Sequence, residues 1–191
     1  MAGPSSLSHV LLCAGTVAQW AATSPDEWRA RINVVAQAAI GGGAAWVTLV
    51  PTAAGTALDA ESVRQQLMSA CGGVRYAEKI VMLPTGGVTV IVDVCADGKE
   101  RIAAGATAVA ASGEITEDRL AAALSAPAPN EPDLVIVLGP ATQMPASLVW
   151  ELAYAELVFF DADWHALDAE HLEMAIDDFT RRDRRFGGVD S

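Results

Sequence analysis

Short apolar runs alternate with longer amphipathic stretches along most of the chain. Residues 9–13 (HVLLC), 45–50 (AWVTLV), 80–83, 88–94 and 133–138 (DLVIVL) are nearly continuous in apolar residues and rich in β-branched ones, the pattern of strands covered on both faces. Between them, apolar positions recur at helical spacing. Ser24-Pro25-Asp26-Glu27 predicts a capped helix start, with Trp28, Ile32, Val35 and Ala39 as its inner stripe and the glycines at 41–43 as its stop. Those glycines follow a helix instead of opening one, so they read as a stop and not as a phosphate cradle. The spacing predicts further helices over 59–70, capped by Asp59, over 102–111, and over 115–124, capped by Thr116 or Gly113. A last helix follows Asp168, with Leu172, Ala175, Ile176 and Phe179 inward. A turn is expected at 84–87. Strand and helix in alternation predict an α/β fold, a mostly parallel central sheet flanked by helices. With no internal repeat, residues 1–191 read as a single domain.

One stretch organises the rest. The strand at 133–138 runs into a loop marked by Gly139, Pro140 and Pro145. Ser147 then stands as a candidate N-cap, and 148–158 reads as a helix that is apolar on almost every face. Glu151 and Glu156 are its only charges. Such a helix predicts a domain centre or half of a subunit interface. A loop between the carboxyl end of a parallel strand and a helix is also where α/β proteins place their chemistry.

Composition narrows the function. The chain is 52% hydrophobic, which implies a packed globular protein. Its formal charge of -12, with Lys79 and Lys99 its only lysines, argues against a nucleic-acid partner. Cations concentrate at Arg181, Arg182, Arg184 and Arg185. Cys13, Cys71 and Cys95 lack metal or redox spacing and read as free thiols of a reducing compartment. The amino-terminal residues lack the basic-then-apolar order of a leader, and the uncharged stretch 40–58 is broken by glycines and Pro51. A cytoplasmic protein is expected, or one held peripherally at a membrane through its partner. Asp161-Ala162-Asp163 reads as turn capping, and His165 and His171 are six apart and do not share a helix face. No metal site is expected in this chain.

The order of these parts resembles the cis-prenyltransferases, the family of undecaprenyl diphosphate synthase. The family frame is present at Asp133, Leu134, Ile136, Gly139, Leu148, Trp150, Leu152, Ala153, Tyr154, Ala155, Glu156 and Leu157. His9, Val10, Gly15, Trp20 and Ala21 match its first motif, and Arg185-Phe186-Gly187 matches its tail. The chemistry departs from the frame. With one extra residue allowed in the first loop, the resemblance puts the family's Mg²⁺-holding aspartate at Ala14, its asparagine at Thr16 and an arginine at Gln19. Its diphosphate-binding arginines fall at Val137 and Gln143, its glutamate at Ala141 and its serine at Pro145. The basic segment after the first motif is absent, as are the asparagine and tryptophan after the second strand.

The resemblance therefore implies a non-catalytic partner subunit of a heteromeric cis-prenyltransferase, similar to the Nogo-B receptor type of subunit. It would form a heterodimer or heterotetramer with a catalytic chain through Trp150, Leu152, Tyr154, Glu156 and Phe160. Arg185, Gly187 and Gly188 would reach the partner's isopentenyl diphosphate site. This chain would carry no catalytic residue and no cofactor, and Mg²⁺ would sit in the partner. Two other readings stay open. One is a divergent homodimeric transferase with a site rebuilt from Glu156, Asp161 and Asp163. The other is a non-catalytic prenyl- or lipid-binding protein.

Overall fold

In the computed structural model, which describes residues 7–153 and 155–186, the predicted strands come together in one sheet. Along the chain run β1 (His9–Cys13), α1 (Val17–Ala22), α2 (Pro25–Gly42), β2 (Trp46–Val50), α3 (Ala57–Ala70), β3 (Val74–Arg75), β4 (Ile80–Thr85) and β5 (Val88–Asp93). There follow α4 (Gly98–Ser112), α5 (Glu117–Ser125), β6 (Leu134–Leu138), β7 (Glu156–Phe160) and α6 (Ala169–Phe186). The sheet order is β3-β4-β5-β2-β1-β6-β7. β5, β2, β1, β6 and β7 are parallel, and β3 and β4 add an antiparallel edge. The antiparallel step is local chemistry: Gly86 and Gly87, both at positive φ, make a two-residue hairpin between Thr85 and Val88.

Capping sets the helix starts. Ser24 accepts from Glu27 N, and Glu27 reaches back to Ser24 N, as the sequence predicts. The α3 cap is Thr56, not Asp59; Asp59 is its reciprocal partner three residues on. Thr116 is the α5 cap.

The main core lies on one face of the sheet, under α2, α3 and α6. At its end Trp20, Trp28 and Trp164 are fully buried, with ring centroids 5.4–5.8 Å apart. Each indole N–H is used: Trp20 donates to Ala14 O (2.9 Å), Trp28 to Trp20 O (3.2 Å) and Trp164 to Thr23 Oγ1 (3.1 Å). Asp133 closes the other end. Its Oδ2 accepts from Ser8 N, Ser8 Oγ and His9 N, which fixes the start of β6 against the start of β1. A second, smaller core of Leu11, Cys13, Val50, Val135, Val137 and Leu148 fills the opposite face.

The apolar helix expected over 148–158 does not form. Residues 147–150 are irregular, Glu151–Ala153 is a single 3-10 turn, and Glu156–Phe160 is strand β7, parallel to β6 from Leu134↔Glu156 to Leu138↔Phe160. Two forces act here. The carbonyl of Ser147, which a helix would use at residue 151, accepts instead from Arg101 Nη1 (3.3 Å). Leu157, Val158, Phe159 and Phe160 suit a half-buried strand, and β6 offers a free edge for it. An unbroken apolar run does not by itself distinguish strand from buried helix.

Truncating Trp164 removes a ring packed on two others in a site with little room to collapse. Trp164→Ala is expected to lower stability by about 3–5 kcal/mol. Urea unfolding followed by circular dichroism measures it, and a loss near that of an exposed substitution would show that the cluster does not carry the core.

Candidate functional site

At the carboxyl ends of β1, β2, β6 and β7 the connecting loops diverge and leave a cleft of about 490 Å³. This is the place where open parallel sheets bind ligands. Gly15 comes from the loop after β1, Thr52 and Ala53 from that after β2, residues 139, 140 and 143–146 from that after β6, and residues 161–164 from that after β7. The loops are stitched together. Ala14 N donates to Val50 O (3.1 Å), Val17 N to Ala53 O (3.1 Å), and Thr52 donates twice to Gly15 O through N (2.7 Å) and Oγ1 (2.8 Å). Gly15 is at φ 67, and a Cβ there would lie 2.9 Å from Trp164 Cβ and Cγ. Glycine is thus required on both backbone and packing grounds.

The positions marked by the family pattern are occupied by scaffold. Ala14 is fully buried and its carbonyl receives the Trp20 indole. Thr16 caps α1, and Gln19 completes the capping box by accepting from Thr16 N (2.8 Å). The same Gln19 donates from Nε2 to Asp163 Oδ2 (3.3 Å). Val137 lies in β6, 1% exposed, within the smaller core. Gln143 and Pro145 line the cleft, and Ala141 stands exposed in the loop.

Among the described residues of the cleft wall, the charged side chains are Asp161 and Asp163. Asp163 is already committed, since its Oδ1 accepts from His165 N (2.8 Å) and its Oδ2 from Gln19. Among the described residues no three of His, Cys, Asp and Glu gather as they do in a closed all-protein metal site. The described residues of the cleft wall offer a diphosphate no cationic side chain.

The residues expected at an interface are divided. Trp150 is half-buried and its indole N–H donates to Glu131; Leu152 is exposed; Tyr154 lies outside the described residues. Glu156 sits 2.9 Å from Arg182 as an ion pair joining β7 to α6, and Phe160 packs on the ring of His171 (centroids 5.4 Å). Among the described strands β7 is one edge of the sheet and β3 the other. The backbone of Arg185 continues α6, while Gly187 and Gly188 lie outside the described residues. His165 and His171 do not meet: His165 Nδ1 faces Arg31 (3.4 Å) and His171 Nδ1 faces Asp168 (2.8 Å).

A second polar centre had no motif to announce it. Arg101 of α4 is held by Asp93 Oδ2 (3.2 Å) at the end of β5 and by Glu151 Oε1 (2.8 Å). Burial raises the pKa of Asp93, against the pull of Arg101. Burial also works against the charge on Arg101, but Glu151 and Asp93 outweigh it and hold the guanidinium protonated. His9 lies beside this cluster. Its Nδ1 is 2.8 Å from Asn130 O, which can only accept, so the proton is on Nδ1 and Nε2 accepts from Thr48 Oγ1 (2.8 Å). Cys13 and Ser147 meet at 3.5 Å, and burial pushes the Cys13 thiol up to about 12. In sequence the signals are faint, Glu151 as one of two charges in an apolar run and Asp93 closing a buried strand.

Comparison with known proteins agrees with the frame. A family model described as putative undecaprenyl diphosphate synthase matches residues 60–187. An isoprenyl transferase of Neisseria meningitidis is 38% identical over 117 residues, which cover 60% of this chain and 47% of that protein. A ditrans,polycis-undecaprenyl-diphosphate synthase of Lactiplantibacillus plantarum, specific for (2E,6E)-farnesyl diphosphate, is 45% identical over 82 residues, 41% of this chain and 32% of that protein. The chain spans about half the length of the first of these relatives and about a third of the second. In structure, a probable undecaprenyl diphosphate synthase from Campylobacter jejuni superposes with a TM-score of 0.63 at 15% identity, covering 98% of this chain and all of that one. Among the described residues no helix is long and apolar enough to cross a membrane.

His9 gives the site a pH signature. Burial lowers its folded pKa, opposed by the Asn130 carbonyl and by Asp133 and Glu151. The unfolded chain therefore takes up this proton first. Stability is complete above the ordinary value of 6.5 and falls as pH drops below it, by at most about 1.4 kcal/mol per pH unit. Urea midpoints measured above and below that value should diverge in the native chain and converge in His9→Gln. An equal slope in both would assign the dependence to another group.

Proposed function

Because this chain belongs to the undecaprenyl diphosphate synthase family, we propose that it is a non-catalytic partner subunit of a heteromeric cis-prenyltransferase. The observation that carries this reading is the charge of the cleft. Where the resemblance expects arginines and a metal-bound carboxylate to hold diphosphate, the described wall presents two aspartates and neutral side chains. A polyanion brought there meets no compensating charge among the described residues of the wall. In this reading the catalytic partner supplies the aspartate, the Mg²⁺ that neutralises the leaving pyrophosphate, and the prenyl tunnel. The supported reaction is cis elongation of an allylic diphosphate by isopentenyl diphosphate.

The docking face in this proposal is an edge strand and its flanks instead of a helix. β7 is apolar from Leu157 to Phe160 and half-buried along its length, and an edge strand of that kind pairs readily with another chain. Leu152 and Val149, which precede it in the chain, are exposed apolar residues. Arg185, Gly187 and Gly188 are proposed to reach the partner's isopentenyl diphosphate site, where an arginine and free backbone N–H groups suit a diphosphate.

One observation favours a second reading, a divergent homodimeric transferase: Asp161 and Asp163 do line the cleft. Glu156, the third carboxylate of that reading, is paired with Arg182.

One experiment separates the two. With Mg²⁺, isopentenyl diphosphate and an allylic diphosphate, the chain alone should give no elongation. Co-expressed with a full-motif cis-prenyltransferase of its own host, it should co-purify and the complex should elongate. Arg185→Ala in this chain should slow the complex roughly ten- to hundredfold without dissolving it, the loss expected for one hydrogen bond to a charged group. Turnover by the chain alone at the rate of an ordinary family member would overturn the proposal.

A further inference from the structure

On the face of the sheet opposite the main core, α4 and α5 pack mainly on each other. Gly105 lets them close, since a Cβ there would stand 3.0 Å from Leu124 Cδ2. Between this hairpin and the β4–β5 side of the sheet remains an open slot of about 480 Å³, walled by Ala104, Ala108, Ala123 and Leu124 among others. Behind it is a small chamber of about 20 Å³. Ile80, Asp93, Arg101, Leu124 and Ala126 line both spaces, so the chamber adjoins the slot across these side chains. Neither space shares a wall residue with the cleft at the strand ends.

The chamber is polar and lacks one donor. Asp93 is satisfied by Cys95 N (2.9 Å) and Arg101 Nε. His9 and Thr48 bond each other, and the one remaining His9 proton goes to Asn130. Glu151 uses Oε1 on Arg101, while its Oε2, on a side chain only 4% exposed, has no partner among the described residues. Two carboxylates also face a single guanidinium. An unsatisfied buried acceptor is costly, and this one belongs to a side chain on the chamber wall.

We propose that this slot binds an amphiphile with a hydrocarbon body and a head made of one hydrogen-bond-donating atom, a hydroxyl or a primary ammonium. The chamber has room for about one water-sized group, which needs roughly 10–15 Å³. A trimethylammonium head is too large for it. A carboxylate or phosphate head brings acceptors and negative charge to a floor that already has an excess of both. The body takes the alanine- and leucine-lined slot, where each methylene removed from water raises affinity roughly fourfold.

Isothermal titration of the purified full chain with decanol, decylamine, decanoate and decyltrimethylammonium tests this. Decanol and decylamine are expected to bind, octanol roughly fifteenfold more weakly than decanol, and the other two heads at least about tenfold more weakly. Ala104→Trp, at an exposed helical position on the slot wall, should abolish binding while leaving the fold intact. Glu151→Gln should weaken decylamine at least about tenfold relative to decanol. If that variant does not fold, Ala104→Trp decides the matter. Decanoate binding as tightly as decanol, binding unchanged by Ala104→Trp, or no binding by any of the probes, which would leave the chamber a water site, overturns the proposal. The activity test of the partner-subunit reading is independent of each of these outcomes.

Discussion

The guanidinium of Arg101 ties three parts of the molecule that are distant in sequence. It leaves α4, meets Asp93 at the end of β5, and holds both Glu151 and the carbonyl of Ser147 beyond β6. Breaking one side of such a buried pair costs about 3–5 kcal/mol, far more than an exposed pair such as Arg29–Asp26 contributes. The backbone adds to the fastening. Gly98 N donates to Ala146 O (2.8 Å), and Gly98 lies so near this segment that a Cβ would stand 2.7 Å from Val149 Cγ2. With residues 146–151 held under the start of α4, the chain re-emerges at the free edge of β6 and continues as β7. The shape of the cleft follows, because its far wall is the loop after β7.

That cleft is held open by neutral residues built into the scaffold. Gln19 closes a helix cap and holds Asp163, Ala14 receives an indole, and Val137 fills the smaller core. An arginine at 137 would bring a charge into a site 1% exposed, at a penalty of several kcal/mol unless a carboxylate came with it. Among the described residues, the cleft at the strand ends carries no cationic side chain. A family fold and a family chemistry are separable for this physical reason: packing positions the loops, and charge on those loops is a later, local choice.

Much of the fold is legible from residues alone. β1 falls where HVLLC predicts it, α2 begins at its Ser24 cap and ends at Gly43 in the left-handed region, and the inner face of α6 is the predicted set of Leu172, Ala175, Ile176 and Phe179. These are local matters of periodicity and capping. The cleft was legible in place, through the loop after β6, but its chemistry was read from what the family pattern puts there. The polar chamber was not legible. Asp93, Arg101 and Glu151 are eight and fifty residues apart in turn, and no spacing rule joins them.

The chain's own sequence therefore determined which segments are strands and helices, where most of them start, and that the sheet is mostly parallel, because burial on both faces and helix capping are written within a few neighbouring residues. Only the tertiary structure decided that 147–160 abandons helix for a turn and an edge strand. An apolar run satisfies either conformation equally well, and the choice was made by Arg101 taking the Ser147 carbonyl and by the open edge of β6. It likewise decided that Glu151, one of two glutamates in that run, would end beside a buried guanidinium with one oxygen unclaimed, since long-range pairing depends on where elements pack and not on their order.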